Sequence, residues 1–380
     1  MSKRDTIIYM HDGLSLYDRL FLNTLSKHFN VIFLTMKHKP KEVPAKIKKY
    51  MIPEPFARLC MQKKYRSFCT LKYYIFLFYR AMMLRYIFKK LQPKLVIGCK
   101  TYTYGLSVAL SGFHPFFLFI WGSDILLYPK KNVLSRVFTM YSLKKADYIV
   151  LNSPAQKTIA LRLGASPEKI ICFPWIDVTL HKKSIGKYRN NIRERLGWSD
   201  KIIVLSNRYH EPIYDVQTLI AAIPYVIKKN KNVRFLICGS GSLTKQLKVQ
   251  AKKLGIDKYV KFLGNIPYKN MPMYYDAADI YVSTSLSDGT SASLMEALAM
   301  KKPVIVTAIP GNKAWIKNYE TGLLIPVKKP NILAEKILEL ANNQSLAKKL
   351  MLHGYSLIEK HINWEKNSKL LINAIKNALG

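Results

Sequence analysis

The chain has 380 residues, 49% of them apolar, and carries 61 Lys and Arg against 23 Asp and Glu, a formal net charge of +38. That length and apolar content exclude wholesale disorder and fit two domains, each with its own core. The charge calls for an anionic partner, whether nucleic acid, lipid or an acidic substrate, and does not choose among them.

The opening residues, MSKRDTIIYMHDG, have neither a long apolar core nor a small-residue cleavage site, so they are expected to enter a first strand, Thr6–Met10, directly. Tyr17–His28 reads as a helix and Val31–Thr35 as a second strand. Residues 37–100 then hold seventeen Lys or Arg against only Glu42 and Glu54. Within them, 63–90 (KKYRSFCTLKYYIFLFYRAMMLRYIFKK) interleave basic residues with aromatic and aliphatic ones, the pattern of a basic amphipathic helix lying in a membrane interface. A core helix with snorkelling lysines has the same pattern. The longest apolar runs, around Tyr73–Tyr79 and Phe113–Trp121, are too short to span a bilayer. Leu95–Gly98, Phe116–Trp121, Tyr148–Asn152 and Ile170–Phe173 read as buried strands, with helices at Tyr104–Leu110 and Pro154–Leu163 between them. Cys60, Cys69, Cys99, Cys172 and Cys238 are scattered without a C-x-x-C pair, which argues for reduced thiols in the cytosol and against a zinc site.

Residues 179–200 are polar, basic and rich in turn formers, and the expected domain boundary lies near Lys187. A second strand and helix series follows: Ile202–Ser206, Val216–Lys228, Val233–Cys238, Leu243–Leu254, Val260–Leu263, Met271–Ala277 and Ile280–Ser283. The two series predict parallel, doubly wound sheets whose ligands bind at strand carboxyl ends. The stretch from Tyr281 to Ile316 organises the second series, with a strand, a break at Ser287-Asp288-Gly289, a helix from about Ser291 to Met300, and a strand at Pro303–Thr307. Thr290, Ser291, Ala292 and Ser293 open that helix, and its free first-turn amides and positive dipole end suit a phosphate. Asp288 before the helix and Glu296 one turn inside it can flank the anion, a set suited to a nucleotide sugar.

Motifs in a fixed order carry a family resemblance: SNRYHEP, CGSGSLTKQL, VKFLGNIPYKNMPMYYDAADIYVSTSLSDGTSASLMEALAMKKPVIVTAIPGNKAWI and TGLLIPV. The chain resembles family 4 of the retaining glycosyltransferases (glycosyl transferases group 1), strongly over about 200–330 and more weakly over Ala146–Asp177. The resemblance implies a GT-B fold, two Rossmann-like domains facing a cleft: an acceptor domain over 1–186, a nucleotide-sugar donor domain over 187–363, and a carboxyl-terminal helix over 364–380 returning to the first domain. It implies that Glu296 holds the ribose, Asp288 the donor sugar, and Arg208 together with Ser291, Ala292 and Ser293 the diphosphate. Gly264 and Ile266 would form the base-binding turn, Gly13 after His11-Asp12 the loop near donor and acceptor, and Asp124 a polar group beside the cleft. Two positions depart from the family pattern: Tyr214 replaces a usual Lys, for which Lys313 is one substitute, and Trp121 replaces a common His.

The reading is therefore a cytoplasmic retaining hexosyltransferase, peripheral at the inner face of the membrane. It moves sugar from a nucleotide-diphosphate donor to a lipid-linked or glycan acceptor, on an anionic membrane surface, without metal or other cofactor and without nucleic acid. A nucleotide-sugar-binding protein lacking transfer activity and a basic nucleic-acid-binding protein are the alternatives, although no helix-turn-helix, zinc finger or RNP-type strand is recognisable.

Overall fold

In the computed structural model, which describes residues 4–13, 15–35, 43–52 and 69–380, the short β-branched and aromatic runs become strands buried on both faces. Such burial is what parallel sheets covered by helices require. The chain divides into two compact units, Met1–Trp175 with Glu365–Gly380, and Ile176–Trp364.

The first unit holds a seven-stranded parallel sheet in the order β3-β2-β1-β4-β5-β6-β7. Its strands are β1 (Thr6–Met10), β2 (Asn30–Thr35), β3 (Lys48–Met51), β4 (Leu95–Cys99), β5 (Phe116–Phe119), β6 (Tyr148–Leu151) and β7 (Ile170–Cys172). Strand β3, KKYM, is exposed throughout, and its lysines protect an open sheet edge. The second unit repeats the plan with six parallel strands in the order β10-β9-β8-β11-β12-β13. These are β8 (Ile202–Ser206), β9 (Val233–Cys238), β10 (Val260–Gly264), β11 (Ile280–Ser283), β12 (Val304–Thr307) and β13 (Leu323–Ile325). Both domains are doubly wound and Rossmann-like, the GT-B class. In each sheet the winding reverses once, between β1 and β4 and between β8 and β11, and ligands of such sheets bind at these switch points.

Two segments differ from the sequence expectation. The polar stretch 179–200 contains the helices Thr179–Lys182 and Arg189–Leu196, and the residues from Ile176 onward belong to the second unit. The cause is Asp276, whose carboxylate accepts the backbone N–H groups of Gly186 (2.8 Å), Tyr188 (2.8 Å) and Arg189 (3.0 Å), binding this stretch to the second core. The basic segment forms a helix over Cys69–Leu91, while 63–68 lie outside the described residues. Where its side chains are described, that helix is apolar on two faces. Leu77, Ala81, Leu84 and Phe88 enter the core, whereas Phe78, Met82 and Tyr86 are 71%, 66% and 63% exposed. No helix among the described residues is long and apolar enough to cross a membrane.

Candidate functional site

The side chains singled out in the second half converge beyond the carboxyl ends of β8 and β11, which pair directly at the switch point. Arg208 follows β8 and is buried. Its Nη1 donates to Ser291 Oγ (2.7 Å) and Ser293 Oγ (2.6 Å), and its Nη2 donates to Asp288 Oδ2 (2.5 Å). Burial, the largest single influence, works against the charged guanidinium, but Asp288 together with Tyr281 and Tyr214 outweighs it, so the net shift is upward and Arg208 keeps its proton. Ser291 stands at the N-cap position of the helix Ala292–Ala299 without a capping hydrogen bond, and the helix's first-turn amides have no intrahelical acceptor by position. Arg208, Asp288 and the helix N-terminus thus form one charged cluster at the strand ends.

Tyr214 explains the departure from the expected Lys. Its ring lies 4.3 Å from the guanidinium carbon of Arg208, a cation–π contact that fixes the fork without adding charge. Lys313 is exposed at the end of the short helix Pro310–Lys313. Just before it, Gly311 sits so tightly that a Cβ there would lie 2.3 Å from both the Asp288 and the Gly289 carbonyl oxygens. That glycine seats the Asp288 turn against the loop after β12.

Glu296 is only 6% exposed. Tyr275 donates its hydroxyl to Glu296 Oε2 (3.0 Å) and itself accepts from Asn207 (2.8 Å). Burial pushes the Glu296 carboxyl up to about 7, against the opposing pull of the Tyr275 hydrogen bond and the Arg208 charge. His181 Nε2 stands 3.8 Å from the same oxygen, and neither ring nitrogen of this fully buried side chain has a hydrogen-bond partner among the described residues. Burial lowers the imidazole to about 4, so it is neutral at physiological pH. Tyr275 and His181 are not legible in the sequence, since neither belongs to the Tyr281–Ile316 motif and no spacing rule links them to it.

The turn expected to meet the base is formed by a left-handed Gly264 (φ 67°), whose carbonyl accepts Gly239 N–H at 2.7 Å, with half-buried Ile266 after it. Gly239 is itself left-handed (φ 105°), and a Cβ there would lie 2.5 Å from the Arg208 carbonyl. Its tight packing therefore supports the Arg208 backbone.

The first unit gathers its own polar groups at the β1/β4 switch point. Asp12 accepts from Lys100 Nζ at 2.7 Å across the two strand ends, and Lys100 adopts φ 68°, a strained value for a non-glycine residue. His11 Nδ1 lies 2.9 Å from both the Gly13 carbonyl and Asp18 Oδ1, two acceptors that assign the proton to this nitrogen. Trp121 stacks on His11 at 4.4 Å with planes 7° apart and packs edgewise on Trp175, so it belongs to an aromatic cluster. Asp124 does not offer a free carboxylate: it is 1% exposed, Oδ1 accepts Gly122 N–H (2.7 Å) and Oδ2 accepts Thr101 N–H (3.2 Å). Its geometry is that of a group holding two turns together. Among the described residues no group of three or more His, Cys, Asp or Glu could hold a metal ion.

Residues 188–357 match the family model of glycosyl transferases group 1, and residues 6–153 match that of glycosyl transferase 4-like domains. The chain belongs to the glycosyl transferases group 1. Within this family it is 26% identical over 218 residues to the D-inositol 3-phosphate glycosyltransferase of Corynebacterium efficiens, covering 55% of this chain and 51% of that one. It is 32% identical over 187 residues to the alpha-monoglucosyldiacylglycerol synthase of Streptococcus pneumoniae, covering 48% of this chain and 42% of that one. Alignments to the curated relatives it matches span 42% to 65% of their lengths. The solved structure of Anabaena HepE in complex with UDP-glucose superposes with a TM-score of 0.77 at 15% identity, over 98% of this chain and 99% of that one. At that identity the likeness is one of fold.

Proposed function

We propose that this glycosyltransferase moves a hexose from a nucleotide-diphosphate donor to a lipid-linked or membrane-borne glycan acceptor, with retention of anomeric configuration. The observation that carries the reading is the buried fork of Arg208 onto Ser291, Ser293 and Asp288, beside the Glu296 helix at the β8/β11 switch point. The donor diphosphate competes with Asp288 for Arg208 and takes the first-turn amides of the Ala292–Ala299 helix. Asp288, released, turns to the hydroxyls of the donor sugar. Glu296, ionised, accepts the ribose hydroxyls. As the glycosidic C–O bond breaks, negative charge grows on the leaving diphosphate, where Arg208 and the helix dipole stabilise it without a metal ion. In a retaining step on one face of the sugar, the leaving phosphate oxygen receives the proton of the attacking acceptor hydroxyl.

The membrane part of the proposal is supported by the exposed Phe78, Met82 and Tyr86 on a helix within the most basic part of the chain. The streptococcal relative is by name a monoglucosyldiacylglycerol synthase, which favours a lipid-borne acceptor in the same direction. The test is a transfer assay with UDP-, GDP- and ADP-hexoses against membrane lipid extract, with product anomers read by NMR. The proposal expects one donor to be consumed only with acceptor present and to give the donor's own anomer. Inverted product would overturn retention, and donor binding without transfer would leave a binding protein in place of an enzyme.

A further inference from the structure

The helix Val133–Lys145 in the first unit is built inside out. Its buried positions are Ser135, Thr139, Ser142 and Leu143, three of the four carrying hydroxyls. Its exposed positions include Val133, Leu134, Val137 and Met140, with Val133 76% exposed. A helix of a soluble domain normally buries its apolar stripe, so an exposed apolar face over a polar buried one needs a cause.

The buried face is satisfied locally. Asn132 caps the helix by accepting Ser135 N–H at 2.8 Å, Thr139 Oγ1 donates to the Ser135 carbonyl at 2.9 Å, and Ser142 Oγ donates to the Thr101 carbonyl at 2.8 Å. Small hydroxyl residues let this helix lie close against the turn after β4, and they leave its large aliphatic side chains on the outside. The charge around that face has one sign. Between Ile125 and Ala146 the sequence holds Lys130, Lys131, Arg136, Lys144 and Lys145 and no acidic residue. The helix Gly105–Ser111 packs against both this helix and Cys69–Leu91, so the two exposed apolar faces belong to neighbouring parts of one unit.

We propose that the Val133–Lys145 helix is a second membrane-docking element, inserting Val133, Leu134 and Val137 into the acyl boundary of an anionic bilayer while Lys130, Lys131 and Arg136 meet its headgroups. The occupant is a lipid surface and not a nucleic acid, because the exposed side chains are aliphatic and offer no stacking face for a base. It is a bilayer and not an acidic protein because basic residues flanking an exposed aliphatic helix face match an interfacial helix, in which apolar insertion and headgroup attraction add. The inference rests on the reading of the protein as membrane-associated, and extends it to a helix that carries no sequence signature of amphipathicity.

The experiment is flotation of the full chain with vesicles of phosphatidylcholine alone and of phosphatidylcholine containing 30% phosphatidylglycerol, a composition chosen to give about a −30 to −50 mV surface. Three proteins are compared: wild type, Val133→Glu with Leu134→Glu, and Phe78→Glu with Met82→Glu. All four substitutions fall on exposed positions, and circular dichroism and thermal unfolding monitor the fold. The inference expects wild type to float with the anionic vesicles, and the Val133/Leu134 variant to bind them at least tenfold more weakly with an unchanged unfolding temperature. Wild-type flotation together with unimpaired binding by that variant overturns the inference and leaves the membrane reading intact. Failure of wild type to float with either vesicle overturns both. If the variant unfolds early, the emission that a Leu134→Trp protein adds over wild type, taken as a difference spectrum against the five native tryptophans, decides: a blue shift of that difference on adding anionic vesicles supports insertion, and an unchanged difference refutes it.

Discussion

Replacing Glu296 by Gln should make the second unit more stable while removing its function, and the pH dependence of that gain follows from the site. The folded protein holds this carboxyl at about 7 against an ordinary value of 4.5, because burial disfavours its charge. Below pH 4.5 the group is protonated in both folded and unfolded chains and contributes no difference. As pH rises from 4.5 to 7 the unfolded chain gives up the proton that the folded chain keeps, so stability falls, and the loss is complete above 7. A gap of that size amounts to about 3 kcal/mol. Gln stays neutral and its amide oxygen can still accept from Tyr275, so the variant escapes the loss. For a domain of this size that is roughly 5 to 10 °C in unfolding temperature. Scanning calorimetry at pH 4.5 and pH 8 measures it, beside a transfer assay. An equal gain at both pH values, or none at pH 8, would refute the claim that Glu296 is kept under strain for binding.

Other changes probe neighbouring parts of the site. Arg208→Lys keeps the charge but loses the fork, and should raise the donor KM by at least tenfold, whereas Arg208→Ala leaves the Asp288 carboxylate unpaired and should destabilise the fold by about 3 kcal/mol in denaturant titration. Gly311→Ala forces a methyl onto the Asp288 and Gly289 carbonyls and should cut kcat/KM by more than tenfold and lower the melting temperature, because both clashing atoms are backbone. Tyr214→Lys adds the charge that the family pattern has here but removes the ring against Arg208; tighter binding of nucleoside diphosphate by calorimetry would mean that charge matters more than stacking at this position.

How much of this is legible in the sequence follows from where each piece sits in the chain. The βα unit from Tyr281 to Thr307 is local, so its strand, turn, helix and acidic pair follow from spacing alone, whereas Arg208 stands out only through the family resemblance. Tyr275 and His181 reach Glu296 from separate elements, and only the fold brings them there. Strand β3 is hidden because an exposed edge strand needs no apolar face. The helices Pro330–Asn342, with Leu333, Ile337 and Leu340, and Gln344–His361, with Leu350, Gly354 and Ile358, carry a helical period but no motif that ties them to the site. The family resemblance implies a place beside the cleft for Asp124, whereas its carboxylate is spent on the backbone of two turns. Helix Val133–Lys145 is silent because its serines and threonines fall where apolar residues belong, which cancels the periodic signal.

The central claim is that Arg208, Asp288 and Glu296 form the clamp for a nucleotide-diphosphate sugar. Titration calorimetry with UDP-, GDP- and ADP-glucose, on wild type and on Glu296→Ala, tests it most directly. One nucleotide sugar should bind wild type, and the variant, folded, should lose at least tenfold in affinity. Binding of none of the three, or equal binding by the variant, would contradict it.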